Sequence, residues 1–395
     1  MQKDLPKPIE RALVNLYGVE DIRDLSPHNI ARINSVHTNF FAKGQPTDYS
    51  KICNEYAIFY FPVNFYKIWR PLCDLLEKSQ IKSKCEVLEM GCGPGSATFG
   101  FVEFYRILAE ENPGQSFEIS ILVIEQSNDF LNVMRSIYNC YKCVFPKNLQ
   151  VSIRSQNVGV KDFLSQTTVR KFDYIIESNM INPNESLGGF GLRDFGSKLK
   201  DLMKSHASAI FIEPGEEELS KPLKELKRIL LENDMTAYSP CSCGEKACKQ
   251  FVMARVDISG ITLIEGLKQT SALPRAKIKQ YHNFEYVVFR NDGLKKFEGF
   301  ENPIKFSDLA GHIGEKIKFK AYILIEFEHE DDYRFKICDG SCDRKKEIWL
   351  EVPKKIFNEQ IDGIGRGGFV SVKNAKIASD NRIVCSMSSS VYMEM

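Results

Sequence analysis

The sequence predicts an α/β protein built on a parallel, Rossmann-like sheet, preceded by a helical region and followed by a small β-barrel. Three observations predict this. Apolar strand-like runs alternate with helical segments between about residues 85 and 240. A glycine-rich turn joins the first of those strands to a helix. Beyond residue 315 short alternating strands replace the helices. The expected divisions are a helical N-terminal region at 1–80, a Rossmann-like domain at 81–240, a cysteine-containing segment at 241–300 and a barrel at 301–395.

In the first region Ser26 is placed to cap a helix whose apolar positions Ile30, Ile33 and Phe40 recur near helical spacing. The stretch Glu55–Leu72 carries Tyr56, Phe59, Tyr60, Phe61, Phe65, Tyr66 and Trp69, most of them expected in the core. The sheet is expected from Glu86–Glu89, Ile119–Glu125, Leu149–Arg154, Tyr174–Glu177 and Ala209–Ile212, with Asp194–His206 as a helix crossing back before the last. Strand-like runs also occur at Ile261–Ile264 and Tyr286–Phe289. Near the end, Lys316, Lys318 and Lys320 alternate with Ile317, Phe319 and Ala321. Strands at Tyr333–Cys338, Glu347–Val352, Gly368–Lys373 and Arg382–Met387 follow, with a helical stretch Pro353–Ile361 after the third strand. Five strands with a helix in that place fit an OB-fold, a common nucleic-acid platform.

Bulk properties narrow the function less. The 395 residues carry a net charge of +1, so overall charge does not argue for nucleic acid. There is no run of eighteen apolar residues and the N-terminus lacks a secretory apolar core, so no membrane partner is expected. A cytoplasmic protein is expected, or a mitochondrial one if a precursor was processed.

The sharpest motif is Val87-Leu88-Glu89-Met90-Gly91-Cys92-Gly93-Pro94-Gly95-Ser96, an apolar strand, a glycine turn and a helix start. Glycines at such a turn let the backbone come close to a ligand, and the helix offers unpaired N–H groups. An acid before the turn and an incomplete dinucleotide fingerprint favour the positively charged methionine part of S-adenosylmethionine over a pyrophosphate. Glu125, ending the next strand with Gln126 beside it, is placed to accept both ribose hydroxyls. Gln156 or Asn157 is placed near the adenine. Glu177 ends the fourth strand on the cofactor side, and Asn179 follows as the candidate catalytic residue. The cofactor set is therefore Glu89, Gly91, Cys92, Gly93, Gly95, Glu125, Gln126, Asn157 and Glu177, on a Rossmann-like S-adenosylmethionine-dependent methyltransferase fold.

Of twelve cysteines, Cys53, Cys73, Cys85, Cys92, Cys140, Cys143 and Cys385 read as small buried hydrophobes. Cys241-Ser242-Cys243-Gly244-Glu245-Lys246-Ala247-Cys248 gathers three thiols in eight residues. That density suits zinc or an iron–sulfur cluster, and Cys338 or Cys342 can supply a fourth ligand.

In this order the pieces resemble the ribosomal small-subunit methyltransferase-like assembly factors, a family with mitochondrial members. The resemblance runs through Tyr56–Leu72, Leu88-Glu89-Met90-Gly91-Cys92-Gly93-Pro94-Gly95, Ile212-Glu213-Pro214-Gly215 and Leu226-Lys227-Arg228-Ile229-Leu230 to Pro240-Cys241 and Cys248, and covers roughly residues 50–350. It implies a cysteine-bound 4Fe-4S cluster and an OB-like end. It implies Cys241, Cys248 and Cys338 as ligands, with Cys243 completing the set, although the Cys241-Ser242-Cys243 spacing departs from the family's pattern. Small-subunit ribosomal RNA, or the precursor small subunit, is the implied partner; DNA is not expected.

Two functions of different kinds follow. One is methyl transfer to RNA. Asn179 is placed to orient an exocyclic amine, Asn182-Pro183 partly echoes an amino-methyltransferase motif, and no cysteine stands where a cytosine-C5 nucleophile would. Cytosine N4 is therefore the expected atom. The other is a non-catalytic assembly factor that binds the same cofactor, cluster and RNA. A small-molecule methyltransferase fits less well, because residues 220–300 hold 14 Lys/Arg against 9 Asp/Glu beside the thiols.

Overall fold

In a computed structural model the described residues are 4–42, 49–166, 170–181, 191–241, 253–270, 281–296, 302–339, 347–356 and 368–393, by backbone alone at 37–42, 49–50, 217–218 and 393. Four helices open the chain: α1 Lys7–Asn15, α2 Pro27–Ala42, α3 Cys53–Phe65 and α4 Trp69–Leu76. Ser26 Oγ accepts from Asn29 N–H at 3.2 Å, the cap expected at the start of α2. Phe59, Phe61 and Phe65 of α3 are buried, so the aromatic stretch is core there. Helix α3 lies against α5 (Ser96–Glu111) so closely that a Cβ on Gly100 would sit 2.1 Å from the carbonyl oxygen of Phe65. Trp69 uses the same approach, its indole N–H donating to the Gly100 carbonyl at 2.9 Å.

The main sheet contains β1 Lys84–Met90, β2 Phe117–Glu125, β3 Leu149–Asn157, β4 Phe172–Ser178, β5 Met203–Pro214, β6 Thr236–Ser239, β7 Met253–Asp257 and β8 Tyr281–Arg290. Its order is β3-β2-β1-β4-β5-β8-β6, with β7 also on β8. The pairs from β3 to β5 are parallel, and β8 enters antiparallel between β5 and β6. This is a Rossmann-like order that reverses direction from β1 outward, which opens a crevice at the carboxyl ends of β1 and β4. Helices α1–α5 and α6 (Asn128–Tyr141) supply apolar side chains to one face of the sheet. Helices α7 (Val160–Ser165), α8 (Leu192–Asp201) and α9 (Glu217–Glu232) cover the other.

Four expectations differ from the structure. The sheet does not end at residue 240, because β8 is a central strand of it and β7 pairs along the same edge. Ile261–Ile264 is not a strand: α10, Thr262–Gln269, buries Leu263, Ile264 and Leu267 on one helical face. A short apolar run does not separate the two periods, and the spacing of Leu267 from Leu263 decides for the helix. The crossover helix α8 stops at Asp201, and Met203 to His206 already belong to β5, where Met203 pairs with Phe172. Among the cysteines expected in the interior, Cys53, Cys85, Cys92 and Cys385 are buried, but Cys143 is exposed and Cys73 and Cys140 are half-buried. Cys143 lies in a 3-10 turn after α6, beyond the buried face of that helix.

The C-terminal strands are β9 Lys316–Glu328, β10 Asp332–Cys338, β11 Ile348–Pro353, β12 Phe369–Ser379 and β13 Arg382–Val384. They close in the cycle β9-β10-β11-β13-β12-β9, with β11 and β13 parallel and the other pairs antiparallel. A closed five-stranded barrel of this kind is compatible with an OB-like fold. A further strand, β14 Ser390–Met393, extends β12. Inside lie Ile317, Phe319, Ala321, Ile323, Phe335, Leu350 and Val372, while Lys316 and Lys318 face outward and Lys320 is half-buried. The alternation at the start of β9 thus follows the strand period. Of the helical stretch expected at Pro353–Ile361, the described part is a 3-10 turn, Lys354–Ile356. Among the described residues no helix is long and apolar enough to cross a membrane.

Candidate cofactor site

The glycine turn sits between the carboxyl end of β1 and the start of α5. Gly91, Gly93 and Gly95 have φ of 66°, 52° and 92°, the left-handed region that glycine enters without a Cβ penalty. The first part of the turn is pinned to the neighbouring strand: the N–H groups of Gly91 and Cys92 donate to the Ile124 carbonyl at 2.8 and 3.2 Å. Gly93 N–H donates to Glu125 Oε2 at 2.9 Å. The three glycines differ in surroundings. A Cβ on Gly91 would lie 2.6 Å from Met180 Sδ, and one on Gly95 2.8 Å from Met134 Cγ, whereas a Cβ on Gly93 would meet nothing within 4 Å. Gly93 is the open point of the turn.

Two acids flank it. Glu89 is buried on the α5 side of β1 and accepts a hydrogen bond from the Thr98 hydroxyl. Burial pushes its carboxyl up to about 8, with the like charge of Glu125 adding to the rise and the Thr98 bond opposing it. Glu125, at the end of β2, is also buried, and burial raises its carboxyl too. Its oxygens accept from Gly93 N–H and from Ser127 N–H, the latter at 2.8 Å, and a carboxylate has lone pairs left for further donors. Two buried acids with no cation beside them among the described residues, next to an open glycine backbone, are an acceptor set that fits a ligand carrying both an ammonium or sulfonium group and a diol.

Asn157 lies in register with Glu125, and its amide donates to the carbonyls of Glu125 and Gln126 at 3.0 and 2.8 Å. It braces the β2 exit, and both Asn157 and Gln126 are exposed. Cys92 is buried beside Met134, and burial raises its thiol well above the ordinary range, which leaves it a packing group. Glu177 is not in the cluster with Glu89 and Glu125. Its carboxyl is buried under the exit of β4, accepting from Met180 N–H at 2.7 Å. Asn179 stands at that exit with φ of 57°, half-buried, its N–H on the Ile212 carbonyl at 2.8 Å and its amide on Ser178 Oγ at 3.1 Å. A non-glycine residue in this region at a strand exit marks a constrained position. Asn182 and Pro183 lie outside the described residues.

Sequence reasoning missed three groups. Thr98 covers Glu89 from the first turn of α5, Glu213 is buried beside Glu177 at the Met180 amide, and Lys67 is buried within electrostatic reach of Glu213. Glu213 stood within a motif quoted above, but nothing local signals that its side chain turns inward.

Of the candidate metal ligands, Cys241 and Cys338 are half-buried and pack against one small cluster, Tyr322, Leu324 and Phe369, on the outer face of the barrel. Residues nearly a hundred positions apart in the chain therefore share one patch. Cys243, Cys248 and the alternative Cys342 lie outside the described residues, and among the described residues no group of three or more metal-ligating side chains is assembled.

No family model matches the chain, and no curated protein does. Similar solved structures include an S-adenosylmethionine-dependent methyltransferase from Clostridium acetobutylicum, 12% identical over 62% of this chain and 100% of that one, with a TM-score of 0.35. Another is a methyltransferase from Pyrococcus furiosus, 12% identical over 57% of this chain and 83% of that one, at 0.33. A third is a ribosomal protein L11 methylase from Lactobacillus delbrueckii, 12% identical over 55% and 74%, at 0.30. Likeness at this level assigns neither a family nor an activity.

Proposed function

We propose that the chain is an S-adenosylmethionine-dependent RNA methyltransferase acting on small-subunit ribosomal RNA, at cytosine N4. The observation that carries this is the pairing of the open Gly93 backbone with two buried acids, Glu89 and Glu125, at the carboxyl ends of β1 and β2. When bound, S-adenosylmethionine supplies an activated methyl group. Glu89 holds the cationic methionine end, and Glu125 accepts the ribose hydroxyls. Asn179 orients the acceptor amine from the β4 exit, so that the protein's contribution is positioning.

Incubation with methyl-labelled cofactor and small-subunit ribosomal RNA tests the reading. Label in N4-methylcytosine is expected, falling at least about tenfold in Asn179→Ala with cofactor affinity kept, since one positioning contact contributes on the order of 1.4 kcal/mol or more. Bound cofactor with no label in RNA would replace it with the second reading, a non-catalytic small-subunit assembly factor. What favours that second reading is the shared patch of Cys241 and Cys338, which suits a cysteine set that ties two parts of the chain together.

In both readings Cys241, Cys243, Cys248 and Cys338 hold a 4Fe-4S cluster, with four-cysteine zinc as the alternative. Protein prepared without oxygen is expected to be brown, with about four irons per chain. One zinc and no iron in elemental analysis would exchange the cluster for a zinc site, and neither metal would remove both.

RNA contact is expected on the outward lysines of β9. Affinity for ribosomal RNA should fall steeply with salt, and replacing Lys316, Lys318 and Lys320 together should flatten that slope by up to about two to three, near one per lost phosphate contact. An unchanged slope in the triple variant would take this face out of the interface.

A further inference from the structure

Beneath the β4 exit lies a group of buried ionisable side chains that cofactor binding does not use. Glu177 ends β4 and Glu213 ends β5, with solvent exposures of 0% and 2%. Both project to the α8–α9 side of the sheet, since they alternate with Ile176 and Ile212 of the opposite core. Together they hold two consecutive backbone amides. Glu177 Oε1 accepts from Met180 N–H at 2.7 Å, and Glu213 Oε1 accepts from Met180 N–H at 3.1 Å and from Ile181 N–H at 2.9 Å. The second oxygen of Glu177 meets no donor among the described residues, and the two carboxyl groups converge, each with an oxygen on the same Met180 N–H.

Two full negative charges converging on one amide at this depth would repel and lack solvation, so the pair is held by keeping one proton. We propose that Glu177 and Glu213 form a proton-sharing pair that positions the β4 exit, with Asn179 at its head, and that loss of the shared proton releases it. Asn179's place at the acceptor rests on the function proposed above; the clamp itself does not.

The surroundings fix the sign. Burial raises both carboxyls, and the like charges of the pair oppose ionising both, so the retained proton belongs to the pair. Lys67, buried at the junction of α3 and α4, opposes the rise at Glu213, and its own ammonium is pushed down to about 8 by burial. Glu216 follows β5 and acts on Lys67. Across the sheet Glu285 of β8 is paired in register with Glu213, with Lys224 of α9 at 3.9 Å from it. Below the pair's apparent pKa one proton bridges the carboxyls and both amides are held. Above it that proton leaves to solvent, and the two like charges remain near Lys67, itself losing charge in the same range, with Lys227 a second buried lysine on the covering helix α9.

Hydrogen exchange at Met180 and Ile181, measured by quenched-flow mass spectrometry on the full chain without cofactor or RNA, reads the clamp directly. After correction for intrinsic rates, protection in the parent is expected to be flat at pH 6 and to fall toward tenfold per pH unit before pH 9. Glu177→Gln keeps an oxygen for Met180 and a permanent donor for Glu213, so its protection should stay flat. Lys67→Met removes the opposing cation, so the fall should begin at higher pH. Flat protection in the parent, or the same fall in a folded Glu177→Gln, overturns the proposal. Because no cofactor is present, that failure leaves methyl transfer untouched, and absent methyl transfer leaves the exchange result standing.

Discussion

Replacing Asp74 with alanine is expected to lower the folding free energy by about 3–5 kcal/mol, the range found when one partner of a buried ion pair is removed. Asp74 on α4 is fully buried, and its Oδ1 receives the ammonium of Lys296, itself 3% exposed, at 2.7 Å. Its Oδ2 accepts from the Tyr286 hydroxyl at 2.6 Å. Alanine leaves both donors inside without their acceptor. Glu77 remains 2.5 Å from Lys296 but is 42% exposed, so its charge is screened and replaces little of the loss. Urea unfolding measures the effect. Lys296→Met in the Asp74→Leu background should recover part of it, because the buried ammonium is gone while Arg70, 3.8 Å from Asp74, and the Tyr286 hydroxyl still lose their acceptor. A loss below about 1 kcal/mol in Asp74→Ala would mean that water reaches Lys296 once the carboxylate is gone.

That network marks the limit of what the sequence discloses. Asp74 and Lys296 lie 222 residues apart, joining the N-terminal helices to the segment that follows β8. Nothing local in either segment announces the pairing. The same holds for β8. Its apolar run Tyr286–Phe289 is readable as a strand, but its insertion between β5 and β6 is a long-range outcome. The barrel was more legible, because alternation along β9 and the turn residues between strands are local signals. At the site the division is similar. Glu89, the glycine turn and Glu125 follow from strand–turn–helix spacing. Thr98 becomes visible only when α5 is laid over β1, and the Glu177–Glu213 contact only when two parallel strands are put in register.

The open glycine gives the other large expected effect. Gly93→Val should weaken S-adenosylmethionine binding about 10- to 100-fold, measured by calorimetry on folded protein. Two causes act together. At φ of 52° an L-residue costs about 1–2 kcal/mol, and a β-branched one is an outlier there. That strain favours a different turn, in which Gly93 N–H no longer holds Glu125. If the turn does persist, the valine side chain enters the space beside Gly93 that is otherwise empty to 4 Å, where a ligand reaching both Glu89 and Glu125 must pass. A loss of 1.4 kcal/mol is tenfold in affinity, so strain alone reaches the lower bound and the blocked space adds to it. Gly93→Ala should lose less, since alanine lacks the branched Cβ. Gly114→Ala should bind as the parent does, because Gly114 lies in an open loop with no neighbour within 4 Å and no left-handed φ. Parent-like affinity in a folded Gly93→Val, with Gly114→Ala also unchanged, would detach the cofactor from this turn and take the proposed methyl transfer with it.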